Sequence, residues 1–152
     1  MTADYVSATD AMKSTVFVAW NAATLAIVGS TQKIFFQGVV KDGALEVGTP
    51  DEYWARFSTQ SVTQGQSTLG ENGTKRRHTA YGLLFVQMFF PIAKNDAWRN
   101  GTQIAKAVKN ALAGRTASGT VWFRNPRINE LTIDGAHHRL NVVVDFEYDE
   151  IV

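Results

Sequence analysis

Apolar residues return at helical spacing near the start of the chain: Ala11, Val16, Ala19, Trp20, Ala23 and Ile27. Their period predicts a helix from Ser7 to about Val28, with Ser7 or Thr9 as its cap and Gly29 as its stop. A short strand follows over Ile34–Val40, with a turn at Asp42-Gly43. From Asp51 to Thr63 the pattern changes to strict alternation. Tyr53, Ala55 and Phe57 share one face, and Trp54, Arg56, Ser58 and Gln60 share the other. Gln64 to Thr79 is polar and turn-rich, with Gly65, Gly70 and the pair Asn72-Gly73. Ala80–Pro91 is apolar on both faces, as expected of a central strand or of one covered on its second side by a partner. These two strands predict a long hairpin with an extended tip.

A second helix is expected from a cap at Asn95 or Asp96 to about Ala113, burying Trp98, Gly101, Ile104, Ala105, Val108 and Leu112. Gly114 ends it. Gly119–Ile133 reads as a strand bent or placed at an edge by Pro126. After the turn at Asp134-Gly135, Arg139–Tyr148 alternates, with Leu140, Val142, Val144, Phe146 and Tyr148 inward. The element order is α-β-β-β-α-β-β. It predicts one α+β domain over residues 1–152: a mostly antiparallel sheet of about five strands, with two helices on one face and a long hairpin.

The composition fits this reading. The chain has 152 residues, 45% of them hydrophobic and 19% charged, which excludes an intrinsically disordered chain. It has no cysteine, which excludes a disulfide scaffold, a thiolate metal site and a cysteine nucleophile. No signal peptide is visible, and the longest apolar stretches, such as Leu83–Val86 and Met88–Pro91, fall far short of the roughly 20 residues of a membrane span. A soluble protein made in a cytoplasm is expected, with no membrane partner. Net charge is +1 but uneven. Residues 61–140 hold eleven Lys/Arg against four Asp/Glu, and residues 141–152 hold four acids and no base. A near-neutral chain is a poor general nucleic-acid binder, whereas separated charge suits docking on a complementary surface, including another copy of the chain.

Candidate chemistry is sparse. His137 and His138 are adjacent on a strand and point to opposite faces, so they do not converge on one metal. His78 has no carboxylate–serine grouping around it, and no nucleophile elbow or phosphate-binding glycine loop is present. The sequence therefore predicts no catalytic residue and no cofactor. Asp145, Glu147 and Asp149 share one face of the last strand, as acid–base or cation-holding carboxylates or as charges that discourage edge pairing. Lys75-Arg76-Arg77-His78 is the strongest basic cluster. It lacks interleaved aromatics and so makes a poor stacking platform for single strands. With Gln64 it marks the hairpin tip as a candidate interface.

Several short motifs stand in a fixed order. Glu52-Tyr53-Trp54-Ala55-Arg56-Phe57-Ser58 precedes Leu69-Gly70-Glu71-Asn72-Gly73 and an arginine pair. The strand Leu83-Leu84-Phe85-Val86-Gln87-Met88-Phe89-Phe90-Pro91 follows. After the second helix come Val121-Trp122-Phe123-Arg124-Asn125-Pro126 and Glu130-Leu131. This combination, spanning nearly the whole chain, resembles the tail terminator proteins of tailed bacteriophages, the lambda-type minor tail protein family.

The resemblance implies an α+β subunit of a homohexameric ring at the head-proximal end of the tail, assembled in the host cytoplasm. Such a ring caps the tail tube protein, stops tube polymerisation and receives the head-completion or neck protein. Genomic DNA passes through its channel without sequence-specific binding, and no catalysis is involved. The opposed local charges suit a head-to-tail contact, with Gln64, Lys75, Arg76, Arg77 and His78 set against Asp145, Glu147 and Asp149 as candidate interface residues. Alternatives are another head–tail joining protein such as a neck stopper, a tail tube component, or a small enzyme or ligand-binding domain.

Overall fold

The structure, a computed structural model, describes residues 4–38, 40, 41, 44, 45, 47–66, 77–114, 116, 117 and 119–151. Helix α1 spans Tyr5–Val28. It begins before the predicted cap because Asp4, not Ser7 or Thr9, closes its first turn. The Asp4 carboxylate accepts from the Ser7 N–H at 2.7 Å, and that bond holds its pKa below the ordinary aspartate value. A short carboxylate on extended backbone reaches the free N–H groups and meets the positive end of the helix dipole. Thr9 instead donates its hydroxyl to the Tyr5 carbonyl within the helix. Gly29 ends α1 in the left-handed conformation, with φ at 84°, where a side chain would be strained.

The strands are β1 Lys33–Phe36, β2 Val40–Lys41, β3 Ala44–Leu45, β4 Trp54–Gln66, β5 Arg77–Pro91, β6 Thr116–Ala117, β7 Val121–Asp134 and β8 His137–Ile151. Helix α2, Ala97–Leu112, links β5 to β6. Six strands form one sheet in the order β1-β4-β5-β8-β7-β6. Only the β1–β4 pair is parallel; the other pairs are antiparallel. The fold is therefore α+β, as expected, with the long hairpin formed by β4 and β5.

The expected strand over 34–40 divides. Gly38 takes φ 82°, and Val40–Lys41 leaves the sheet to pair with Ala44–Leu45 in a separate ribbon. The predicted turn at Asp42-Gly43 lies outside the described residues. The bend expected at Pro126 is a register break between Arg124 and Arg127, with Asn125 at φ 53°. Proline lacks the N–H that an unbroken ladder needs, so the bulge falls there.

One face of the sheet carries the core. Phe57 of β4, Leu84, Val86, Met88 and Phe90 of β5, and Leu140, Val142 and Val144 of β8 are fully buried or within 1% of it. Helix α1 adds Met12, Val16 and Trp20, and α2 adds Ile104, Val108 and Leu112. Burying one such side chain contributes roughly 1.5–3 kcal/mol. Gly101 brings α2 down onto the sheet: a Cβ there would lie 2.3 Å from the Phe90 ring. Trp98 departs from its expected place in the stripe. It is 39% exposed because it sits at the flank of α2, where its ring meets His138 at the sheet margin.

Helix α1 also corrects the expectation that no segment approaches a membrane span. By length and composition it is apolar enough to cross one. In this fold its inner stripe, centred on Trp20, is core; the Trp20 indole N–H donates to the Gln32 carbonyl at 2.9 Å.

Candidate interaction surfaces

The second face of the sheet is built differently. At one end Trp54 stacks on Phe89 with ring centroids 3.8 Å apart, and the His137 ring stands edge-on to both. His137 Nε2 lies 3.2 Å from the Thr49 carbonyl. His138 turns to the opposite face, toward Trp98. Sheet alternation thus separates the two histidines, as the sequence predicts.

At the other end stand the carboxylates singled out from the sequence. Asp145 accepts from Arg127 at 3.1 Å, and Glu147 lies 3.4 Å from Arg124. Asp149, nearly buried, pairs with Arg77 and accepts from the Thr79 hydroxyl at 2.7 Å. Burial pushes the Asp149 carboxyl up, but the bonds from Arg77 and Thr79 outweigh it and hold the pKa below the usual value.

This arrangement corrects one sequence expectation. β8 lies between β5 and β7, so its acids guard no sheet edge. Each is matched by an arginine of a flanking strand, so the basic middle and the acidic end of the chain meet within one subunit. Asp145, Glu147 and Asp149 each have an arginine partner within the subunit. The signal was missed because Arg77 lies 72 positions from Asp149, and which residues of the β7–β8 hairpin stand level is set by the strand register and its bulge.

The hairpin residues are dispersed along the same strands. Gln64 is exposed on β4 and pairs with Ala80, and His78 is half-buried on β5 opposite Gln66. Arg77 turns to Asp149. Lys75 and Arg76 lie outside the described residues. The structure therefore brings Arg77 and Asp149 together, both named from sequence, and leaves Gln64 at the surface.

Two apolar surfaces were not singled out from sequence. An open groove of about 400 Å³ is lined by Trp98, Leu131, Ile133, His138 and Arg139. The outer side of α1 exposes Phe17, Val18 and Leu25. The second had a legible signal, since Ser14–Val28 contains no charged residue and apolar residues occur all around the helix. Exposed apolar surface of this kind suits contact with protein. Among the described residues, no group of three or more His, Asp or Glu side chains gathers to hold a metal ion.

No protein-family model and no curated protein sequence matches the chain. Solved structures do. One chain, whose name states no function, aligns with TM-score 0.60 and 12% identity, over 92% of this chain and 94% of its own. Another is a chain of the virion of a native gene transfer agent particle. It aligns with TM-score 0.53 and 15% identity, over 96% of this chain and 99% of its own. The shared property is the fold. It runs end to end in both molecules.

Proposed function

We propose that this protein is a structural component of a phage-like virion, and specifically a tail terminator. In this reading six copies form a ring at the head-proximal end of the tail. The ring stops polymerisation of the tube and gives the neck protein its docking surface, while DNA passes through without being read. The carrying observation is the end-to-end fold likeness to a chain of a gene transfer agent virion. The ordered motifs from Glu52 to Leu131 support the finer role, because they resemble tail terminators along nearly the whole chain.

The surfaces agree with an assembly role. Asp145, Glu147 and Asp149 on the second sheet face are held in ion pairs with arginines, whereas α1 and the β7–β8 hairpin expose large apolar side chains. Exposed apolar surface of this kind marks protein contacts. No catalytic step and no cofactor belong to the reading.

A stop codon in this gene of the particle-producing genome tests it by electron microscopy of lysates. Tails of uncontrolled length beside separate DNA-filled heads are expected. Normal-length tails that fail to join heads would transfer the role to a neck protein, and absent tails would transfer it to the tube. Intact infectious particles would overturn the virion reading.

A further inference from the structure

Among the described residues, both edges of the six-stranded sheet are only partly covered, and the uncovered stretches lie diagonally opposite each other. On one side β1 pairs with β4 only over Trp54–Phe57. The Gln37 side chain then accepts from the Thr59 N–H at 3.0 Å. Beyond Thr59, among the described residues, nothing pairs with the outer edge of β4. On the other side β6 covers only Val121 and Trp122 of β7, and the outer edge from Arg127 to Asp134 has no strand partner among the described residues.

We infer that these two free edges pair with each other between neighbouring copies, β4 of one subunit against β7 of the next, so that the sheet continues from copy to copy. This deepens the ring reading by naming its contact, and rests on that reading only for closure of the ring.

Four observations favour a second copy as the occupant. The two free stretches are similar in length, and unsatisfied strand N–H and C=O groups are most fully met by another strand. Their directions agree: β4, β5, β8 and β7 alternate, so a neighbour in the same orientation presents β7 antiparallel to β4. The free stretch of β4, Gln60–Gln66, contains no charge and no proline, the usual guards against edge pairing. Exposed apolar side chains also fall on both stretches, with Val62 on β4 and Leu131 and Ile133 on β7.

The diagonal placement sets the geometry. Glu130 in the free part of β7 is level with Ala55 of β4, through Leu140 and Met88, whereas the free part of β4 is centred near Thr63. Edge pairing therefore staggers adjacent copies by roughly 26 Å along the strands, at about 3.3 Å per residue. A sheet closed on itself needs such a stagger and takes it up as strand tilt. The contact is heterologous, so it propagates in one direction until the assembly closes.

The absence of native cysteine makes the test direct. Single-cysteine variants Gln64→Cys and Glu130→Cys are mixed, oxidised mildly and followed by denaturing gel and native mass, with Asn129→Cys and Leu131→Cys as register neighbours. Lys106→Cys, on α2, is the control. A Gln64–(129 to 131) cross-link roughly tenfold faster than any cross-link to the control is expected, because only paired edges hold the Cα atoms within disulfide reach. A closed ring without that cross-link overturns edge pairing and leaves the ring intact. The cross-link in open-ended chains keeps edge pairing and overturns the closed ring. A chain that stays monomeric and uncross-linked at every concentration overturns edge pairing, and the stop-codon phenotype then decides the function separately.

Discussion

The two faces of the sheet are written by the same strands and do different things. On the helix side every second residue of β5 and β8 is apolar and buried, from Leu84 to Phe90 and from Leu140 to Val144. On the other side the intervening residues change character along the strand. An aromatic cluster of Trp54, Phe89 and His137 occupies one end, Phe85 and Val143 the middle, and arginine–carboxylate pairs the other end. The first face derives its stability from area removed from water, which is non-directional. The second combines a buried aromatic stack at one end with polar pairs at the other, whose strength depends on how well water is excluded from each. One face therefore fixes the fold, and the other fixes which strands lie side by side.

The sharpest break in this comparison comes from the buried face. Phe90 is fully buried, packs on Tyr53 and lies directly under Gly101. Phe90→Ala removes that packing and opens a cavity beneath α2. A loss of about 3–5 kcal/mol is expected, because the helix seat cannot fully collapse. Urea denaturation reads it as a lower midpoint with the slope unchanged. A loss below about 1 kcal/mol, the range of surface substitutions, would erase the distinction between the faces.

Asp149 stands between the two regimes, a charged residue on the polar face that is nevertheless nearly buried. Its folded pKa lies below the ordinary value, so it stabilises the fold fully above its unfolded pKa of about 4 and loses that contribution as pH falls through the folded value. Asp149→Asn keeps the acceptor for Thr79 and removes the charge facing Arg77. A loss of about 1–2 kcal/mol at neutral pH is expected, reduced by the partial exposure of Arg77. In thermal melts the gap between wild type and variant should narrow below about pH 4. A gap that persists unchanged into acid would show that the carboxylate charge is not what holds β5 to β8 there.

Much of the fold was legible because its period is local. The alternation from Leu140 to Tyr148 and the stripe from Gly101 to Leu112 each predict their element and its buried face without any knowledge of the partners. What escaped depends on distance or competition. Asp4 as a cap was missed because several short polar residues cluster at the start of α1, and only geometry selects among them. Trp98 was assigned to the core because periodicity locates a stripe but not its margin. The division after Phe36 follows from Gly38, whose turn no hydrophobic pattern records. At the candidate surfaces, the motifs pointed to a binding role, but the pairing of Asp149 with Arg77 spans 72 positions. Net charge by segment reads as attraction between molecules, whereas the register pairs Asp145, Glu147 and Asp149 with arginines of the same subunit. The free edges of β4 and β7 are less legible still, because an edge is a property of the strand order.

The smallest expected effect is at the exposed end of the polar face. Arg124 and Glu147 approach at 3.4 Å, with the arginine side chain 66% exposed. Water solvates both groups well when they separate, so the pair gains little over hydration and must also hold two long side chains in one geometry. Arg124→Ala, Glu147→Ala and the double variant form a thermodynamic cycle. A coupling of about 0.2–1 kcal/mol is expected at low ionic strength, shrinking toward zero in molar salt as screening shortens the range of the interaction. Asp149 with Arg77, better shielded, should keep more of its coupling in the same salt. If the two pairs lose coupling in parallel, burial is not what separates them, and the polar face is uniform from Asp145 to Asp149.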